Sequence, residues 1–306
     1  NRADALAKTL RSLRGVEVPP TWEVELLLTD NASTDQTPEI ISSFEHPDIL
    51  VRGLSEPNPG KARALNRAVS ESSGEVLLFT DDDVRFPEHW VERMSVPILQ
   101  NTADAVQGGI EFAESANLDW MTSRHREIFA STERIDADQP GRLVGANMAI
   151  AKEVFDTIPM FDPELGPGGK YGNEEDTLIS LQMREAGFRI ESAFDVSVVH
   201  HIDPSRLSFA GFEKMAEKQG RGSAHISYHW RHRGHSLPAL LVGWAYYTVR
   251  LWWQRAVNGI YEDAEYGMPM NEFFHRRKIY RIRQHLCEHG TPRKYDRRGL
   301  TKKSAQ

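Results

Sequence analysis

Short apolar runs that end in polar clusters alternate with helical stretches over the first two thirds of the chain. Val24 to Leu28 form one run, a second lies near Ile49 to Leu54, and a third spans Glu75 to Phe79. A turn at 57–60 and a helical stretch from Lys61 to about Glu71 separate the last two. Strands separated by helices of this length predict an α/β fold, with a mostly parallel sheet covered by helices on both faces.

Three consecutive carboxylates, Asp81 to Asp83, directly follow the third apolar run. Ligands of open α/β sheets bind at such strand ends. Alternation along the strand lets Asp81 and Asp83 leave on one side, which suits oxygen ligation of a divalent cation that accompanies a sugar-nucleotide diphosphate. The structural alternative is an acidic loop that caps the helix after Pro87.

Length and composition predict an enzyme with a large core in one extended domain or two closely packed ones, since the chain has 306 residues and is 40% hydrophobic. The single cysteine, Cys287, excludes an internal disulfide and favours a reducing compartment. No apolar run reaches the length that spans a bilayer. We therefore expect a cytoplasmic protein, at the inner face of the membrane if it contacts one.

Charge is unevenly distributed along the sequence. Residues 271–306 carry a net charge of +8, so the preceding 270 residues carry −15. The acidic body argues against nucleic-acid binding. The basic tail suits either an anionic membrane surface or a solvated helix with a disordered end.

The second half continues the alternation less regularly. The chain also enters a helix directly at Asn1-Arg2, where a βα unit would supply a strand, so we expect a further strand upstream. The elements predicted in the second half are a strand from Ala105 to Phe112 with a bulge or close approach at Gly108-Gly109, a helix from Leu118 to Ala130, a segment from Val144 to Ile150, a helix from Lys152, a loop from Phe161 to Asn173, a helix ended by Gly187, and a strand from Arg189 to Val199 that delivers His200-His201.

Polar clusters now follow strands or begin helices at Asp30-Asn31, Asp81 to Asp83, Glu174 to Asp176 and His200-His201. Their order and context resemble family 2 glycosyltransferases with the GT-A fold, over most of residues 1–215. The motifs that carry the resemblance are LLLTDNASTDQT from Leu26, PGKARALN from Pro59, FTDDD from Phe79, VGANMAIAKEVF from Val144 and FDPELGPGGKYGNEEDTLISLQMREAGFRI from Phe161.

The resemblance implies a metal site of the DXD type. It assigns Asp81 to the ribose side of the donor and Asp83 to a divalent metal, Mn²⁺ or Mg²⁺, which neutralises charge on the departing diphosphate. His200 matches the late histidine that completes this site in many relatives, with His201 a less favoured substitute. The alternative for either histidine is a structural role.

The resemblance also implies a nucleotide site. Asp30 resembles the residue that accepts a hydrogen bond from the donor's base, with Asn31 beside it. Lys61 and Arg63 lie in the first turn of a helix, where they and the free N–H groups can face a nucleotide phosphate. Capping of the turn is the alternative for the first pair, and a solvated helix position for the second.

Asp176 resembles the general base that deprotonates the acceptor hydroxyl, because it begins a helix whose positive end favours a carboxylate. Glu175 is the alternative base. Gly145, Asn147 and the loop Gly166 to Gly169 resemble the acceptor side of the cleft, although glycines at such places also serve turns and close packing.

The segment from Leu237 to Val257 is apolar and contains Trp244, Trp252 and Trp253. A helix rich in tryptophan and followed by a basic tail suits an interfacial anchor that brings an enzyme to a lipid-linked acceptor. A helix packed on the catalytic domain or in a dimer interface explains the same pattern.

The sequence therefore predicts an inverting, metal-dependent glycosyltransferase that acts in cell-surface polysaccharide or glycolipid synthesis. Residues 1–107 form the nucleotide-sugar half, 108–203 the acceptor and catalytic half, and 204–306 a helical basic extension. The rivals are a sugar nucleotidyltransferase and a catalytically silent nucleotide-sugar-binding module. Neither the Gln/Arg-x-x-Arg-Trp motif nor the membrane helices of processive synthases are evident, which favours single addition.

Overall fold

The computed structural model describes residues 1–113, 118–138, 140–258 and 267–296. They belong to two compact units. The first unit comprises Asn1–Pro163 and Glu175–Ile202, and the second comprises Glu164–Glu174 and Asp203–Gln306. The last ten residues of the predicted basic tail, 297–306, and residues 259–266 of the predicted extension lie outside the described residues.

The first unit alternates helices and strands, as the sequence predicts. Its helices are α1 (Ala3–Leu13), α2 (Thr37–Ser43), α3 (Lys61–Glu71), α4 (Trp90–Leu99), α5 (Ser123–Ile128), α6 (Val154–Thr157) and α7 (Glu175–Ala186). Its strands are β1 (Glu25–Asp30), β2 (Leu50–Ser55), β3 (Val76–Thr80), β4 (Val84–Arg85), β5 (Ala105–Phe112), β6 (Asn147–Ala151) and β7 (Ile190–His200). The α/β fold class is confirmed.

The strand directions are mixed. Strands β1 and β2 pair in parallel, and a five-stranded sheet has the order β3-β6-β5-β7-β4. Within it only β5 and β7 are parallel, whereas the β3–β6, β5–β6 and β4–β7 pairs are antiparallel. The expectation of a mostly parallel sheet is wrong in this respect, because apolar periodicity reports which residues are buried and carries no information on strand direction.

Local sequence signals set the element ends that bear on the site. Asp35 Oδ1 accepts hydrogen bonds from Thr37 N and Oγ1 at 3.1 and 2.6 Å and so closes a turn directly before α2. Gly60 precedes α3 with φ 139°, and Gly187 ends α7 with φ 87°, conformations that favour glycine.

Strand β6 pairs with β3 on one side and with β5 on the other, and each of its residues is buried. Asn147, its first residue, is 0% exposed. Its side chain accepts a hydrogen bond from Trp90 Nε1 at 2.8 Å and donates to the carbonyls of Gly109 and Val196 at 2.8 and 2.9 Å. The side chain of Asn147 therefore braces the sheet from within, and the predicted place of Asn147 on the acceptor side of the cleft concerns its position and not a side-chain contact.

The predicted irregularity at Gly108-Gly109 is confirmed. The register of β5 against β7 shifts between these two residues. A Cβ on Gly109 would lie 2.1 Å from Ser197 Oγ, so the bulge needs a residue without a side chain.

The second unit is helical. Its helices are α8 (Phe209–His225), which continues as a π-helical turn over Ile226–Trp230, α9 (Leu237–Asn258) and α10 (Met270–Glu288), and a 3₁₀ turn covers Pro204–Leu207. Among the described residues, no helix is both long and apolar enough to cross a membrane.

A buried carboxylate ties α10 to the rest of the second unit. Glu288 Oε1 accepts hydrogen bonds from Tyr171 Oη at 2.7 Å and Gln284 Nε2 at 2.8 Å, and its Oε2 lies 2.9 Å from His229 Nε2. Burial alone raises the pKa of this carboxyl, but the hydrogen bonds from these partners outweigh it and lower the pKa. Glu288 is thus held as a carboxylate with both oxygens occupied.

Candidate active site

Two charged clusters flank the end of β3 in the first unit. The lysine cluster consists of Lys61, Asp81 and Glu175, and the histidine cluster consists of Arg2, Asp82, Asp83 and His200. Of the consecutive residues Asp81 to Asp83, the first belongs to the lysine cluster and the other two to the histidine cluster. The structure thus brings together predicted site residues from four separate stretches of sequence.

The lysine cluster forms where α3 begins. Lys61 Nζ donates a hydrogen bond to Asp81 Oδ1 and lies 3.7 Å from Glu175 Oε1. Burial alone lowers the pKa of Lys61, but the two carboxylates outweigh it and raise the pKa. A Cβ on Gly145 would lie 3.3 Å from Lys61 Nζ, so the ammonium group fits closely over the backbone there. Lys61 is therefore a permanent cation.

Glu175 is the most buried carboxylate of the lysine cluster, with 5% of its surface exposed. Burial, followed by the negative charge of Asp176, raises its pKa to about 7 despite the nearby Lys61. Its Oε2 atom is buried and has no hydrogen-bond partner among the described residues.

The histidine cluster forms because β4 turns back after the carboxylates and pairs with the end of β7, with Val84 opposite His200. His200 Nε2 lies 3.3 Å from Asp83 Oδ1, although the two atoms form no hydrogen bond of good geometry. Arg2 donates to Asp83 Oδ2 and lies 2.9 Å from Asp82 Oδ1. Burial would raise the pKa of Asp83, but His200 and Arg2 lower it to about 2.

The tautomer of His200 follows from its second contact. Its Nδ1 atom lies 3.2 Å from the carbonyl oxygen of Phe129, which can only accept a hydrogen bond, so Nδ1 carries the proton. In the neutral ring Nε2 then presents a lone pair to Asp83 Oδ1. Two buried electron-rich atoms that face each other call for a cation between them, either a proton on the ring or a metal ion.

The donor atoms fit a divalent cation. A carboxylate oxygen suits Mg²⁺ and Mn²⁺, and imidazole is a common metal ligand whose free nitrogen is oriented by a carbonyl on the other side of the ring.

His201, the alternative histidine, donates its backbone N–H to the carbonyl oxygen of Asp83 at 2.8 Å. Burial and then Arg85 lower the pKa of its side chain. His200 is the histidine that faces Asp83.

Asp176 is the second residue of α7 and is half-buried. Its Oδ2 accepts a hydrogen bond from Gly145 N at 3.2 Å, and its Oδ1 accepts one from Thr177 N at 2.7 Å. Gly145 therefore touches the predicted base through its backbone. Asp176 keeps more exposed surface than Glu175, which matters for a group that must reach a bound acceptor.

Asp30 and Asn31, the residues predicted to bind the nucleotide base, lie in a turn. Asn31 donates to the carbonyls of Glu56 and Asn58 at 3.0 and 2.8 Å and accepts from Gly60 N at 2.7 Å. Its side chain thus holds the loop that leads into α3. Asp30, at the end of β1, accepts from Ser33 N at 3.3 Å.

Arg63 differs from Lys61, although both lie in the first turn of α3. It is exposed and lines an open polar groove of about 270 Å³ together with Asn66 and Arg67. No ion pair joins it to the lysine cluster in the part of the chain that the structure describes.

Arg2 and the Lys61–Glu175 pair were not predicted. Arg2 lies 81 residues from Asp83 in sequence, and a lone arginine before a helix carries no motif. The proline-glycine-lysine turn was the only available signal for Lys61, and nothing in it indicated Glu175 as a neighbour.

Comparisons with known proteins identify the family of the chain. The family described as Glycosyl transferase family 2 matches residues 1–158. The chain is 25% identical over 227 residues to the glycosyltransferase AglE of Haloferax volcanii, covering 74% of this chain and 71% of AglE. It is 23% identical over 206 residues to the succinoglycan biosynthesis protein ExoA of Rhizobium meliloti, covering 66% of this chain and 60% of ExoA.

A solved structure with the same fold is the mannosyltransferase PcManGT from Pyrobaculum calidifontis, in complex with GDP-Man and Mn²⁺. It aligns with a TM-score of 0.61 and 18% identity, over 94% of this chain and 85% of that one. The fold and the family match define a glycosyltransferase of the GT-A type. The chain belongs to glycosyl transferase family 2, which confirms the predicted family and enzyme class over the nucleotidyltransferase and the silent binding module.

Proposed function

We propose that the chain is an inverting, metal-dependent glycosyltransferase that moves a sugar from a nucleotide diphosphate donor to a hydroxyl acceptor. The observation that carries the proposal is the facing pair of Asp83 Oδ1 and His200 Nε2, 3.3 Å apart. Asp81, which belongs to the lysine cluster, lies two residues before Asp83 in the sequence. A cation site beside a fixed ammonium group suits a diphosphate.

Asp83 and His200 are the proposed protein ligands of Mn²⁺ or Mg²⁺. A metal bound there would offset the charge that builds on the departing diphosphate. The Mn²⁺ complex of PcManGT supports this proposal by similarity of fold.

The donor is proposed to bind through the first part of the chain, residues 1–107. Lys61 offers a cation to the phosphates, and Asp81 accepts from the ribose. Asp30 selects the base, while Asn31 acts through the loop that it holds before α3. Arg63, which is exposed in the first turn of α3, is proposed as a second cation for the phosphates. The acceptor is proposed to bind through residues 108–203.

Asp176 is proposed as the general base that removes the proton from the acceptor hydroxyl as this attacks the anomeric carbon. Its contact with Gly145 N fixes one carboxylate oxygen and leaves the side chain half-exposed. Glu175, which is buried against Lys61, is better suited to keep the ammonium group in place.

The acceptor is proposed to be a saccharide or a lipid-linked sugar in cell-surface polysaccharide or glycolipid synthesis, and the name of ExoA supports the first of these. Peripheral attachment to the inner face of the cell membrane, through α9 and the basic tail, is proposed as the way in which a cytoplasmic enzyme meets such an acceptor.

A donor-hydrolysis screen tests this function. Purified protein is incubated with a panel of nucleotide sugars and Mn²⁺, and the released nucleoside diphosphate and the free sugar are measured. We expect one donor or a few to be cleaved, with loss of cleavage in excess chelator. The anomeric configuration of the first-formed sugar should be inverted relative to the donor. Retention of configuration or full turnover in chelator would refute the proposal.

A further inference from the structure

Helix α9, in the second unit, exposes apolar side chains along its length. Its 22 residues include two arginines and no aspartate or glutamate. Trp252 and Trp253 are 68% and 63% exposed. Contiguous exposed apolar surface of this kind marks an interaction site. The other large apolar side chains exposed on α9 are Leu237, Leu241, Val242, Trp244, Tyr246, Val249 and Val257.

This face borders a cavity of about 340 Å³ between α9 and α10. One arginine, one imidazole, two amides and two apolar side chains line it, and none of the lining groups is a carboxylate. The lining residues are Arg250, Trp253, Gln254, Val257, Asn271 and His275.

The two arginines of α9 have different surroundings. Arg255 Nε lies 3.3 Å from Glu272 Oε1, within a buried ion network that also includes Arg276. Arg250 forms no ion pair within the described residues, and its guanidinium lies 6.0 Å from the centre of the Tyr246 ring. Arg250 is thus a cation in the cavity that lacks a counter-charge in this part of the chain.

The amide of Gln254 is oriented by its neighbour. His275 Nδ1 lies 3.1 Å from Gln254 Oε1, and since this oxygen can only accept, the ring nitrogen donates. The NH₂ group of Gln254 remains to donate elsewhere. Arginine and amide donors around one cavity suit a phosphate, whose oxygens accept the parallel N–H bonds of a guanidinium.

We propose that this cavity binds the phosphate headgroup of an anionic membrane lipid. The exposed tryptophans beside it then lie at the level of the headgroups, which indole rings favour at membrane surfaces. The absence of acidic residues from α9 matches the negative charge of such a surface. The proposal rests on the peripheral attachment proposed above and identifies the site that recognises the lipid.

Vesicle flotation of the full chain tests it, with phosphatidylcholine vesicles that contain or lack phosphatidylglycerol. We expect binding to depend on phosphatidylglycerol. Arg250→Gln should weaken it about fivefold, the effect of one arginine near an anionic surface. Arg250→Lys keeps the charge but loses the paired N–H donors of the guanidinium, and it should weaken binding about two- to threefold. The matched control is Arg283→Gln on α10, since Arg283 is exposed and has no ion pair among the described residues; it should change binding less than about twofold.

Several results would overturn the assignment. If Arg250→Lys binds like the wild type, or if Arg250→Gln and Arg283→Gln weaken binding equally, attachment is by diffuse charge and the cavity has no special role. If inorganic phosphate binds in calorimetry as tightly as the vesicles do, and with the same dependence on Arg250, the ligand is a free phosphate. If the protein never floats and light scattering shows a dimer that Trp252→Ser dissociates, the face binds a second copy.

Donor hydrolysis in solution, measured on the same Arg250 variants, separates this proposal from the proposed catalytic function. We expect wild-type rates, because Arg250 lies outside both charged clusters of the first unit. Lost flotation with retained hydrolysis therefore tests the lipid site alone. Thermal unfolding of each variant checks that the fold is intact.

Discussion

Buried carboxylates are satisfied differently in the two units. In the second unit, both oxygens of Glu288 have partners, supplied by Tyr171, Gln284 and His229. In the first unit, Asp83 Oδ1 and Glu175 Oε2 are buried without a hydrogen-bond partner among the described residues. An unsatisfied buried carboxylate costs free energy, whereas a satisfied one stabilises the fold.

The comparison indicates where a ligand is expected. A carboxylate whose two oxygens already accept hydrogen bonds has no free oxygen for a ligand. We therefore interpret the Glu288 network as structural, although His225, His229 and Glu288 lie close enough together to hold a metal. A buried carboxylate oxygen that lacks a hydrogen-bond partner and lies near a fixed cation is free to bind a ligand. By this criterion the chemistry belongs to the first unit.

The largest effect should come from removing the proposed base. Asp176→Asn should lower turnover by roughly 10² to 10⁴, the usual contribution of a positioned general base, while donor and metal still bind. The fold should be kept, because asparagine retains one side-chain oxygen, which can accept from Gly145 N or from Thr177 N. Steady-state transfer and donor-binding calorimetry measure the two effects separately.

Glu175→Gln is the matched control for this prediction. It removes the neighbouring carboxylate with little change in shape and should leave most of the turnover. Near-wild-type transfer by Asp176→Asn, together with loss in Glu175→Gln, would move the base to Glu175.

A stability effect without a catalytic one is expected in the second unit. Glu288→Ala leaves Tyr171 Oη and His229 Nε2 without their acceptor, and each buried donor left unsatisfied costs about 1 to 3 kcal/mol. Urea unfolding should show this loss, and donor hydrolysis at a temperature where the variant is folded should be unchanged. A loss of hydrolysis in the folded variant would mean that the saturated network takes part in catalysis.

The protonation of Glu175 should make the free energy of unfolding depend on pH. Its pKa rises from 4.5 in the reference state to about 7 in the fold. The folded chain therefore holds this proton more tightly, and its contribution is complete below about pH 4.5 and is lost as the pH rises through about 7. The expected loss is on the order of 1 to 3 kcal/mol.

Denaturant unfolding at several pH values measures this loss, with Glu175→Gln as the comparison. The variant should lack the part of the slope between these two pH values. The same slope in the variant and the wild type would show that another group is responsible.

Much of the fold follows from the sequence. The bounds of α3 and β5 match the apolar periodicity and turn residues, and Gly187 ends α7 where a left-handed glycine is expected. Strand direction was not predictable, nor was the two-residue strand β4, because so short a segment has no periodicity. That strand is nevertheless what brings His200 beside Asp83.

The candidate site was predictable in its residue types and less so in its contacts. Motif resemblance identified Asp83, His200 and Lys61, but the pairing of Arg2 with Asp83 spans 81 residues and depends on tertiary structure. Asn147 shows the limit of resemblance most clearly. The resemblance implies a place on the acceptor side of the cleft, whereas the side chain has no exposed surface and bonds to Trp90, Gly109 and Val196 inside the fold.

The most direct test of the account is calorimetry of Mn²⁺ binding in the presence and absence of the nucleoside diphosphate that the donor screen identifies. Wild-type protein and His201→Gln, the matched neighbour of the proposed ligand, should bind Mn²⁺ mainly with the diphosphate present. Asp83→Asn and His200→Gln should bind at least about tenfold more weakly while remaining folded by circular dichroism. Unchanged Mn²⁺ binding in both variants, or loss in His201→Gln alone, would contradict the claim that the open carboxylate of the first unit is the metal site.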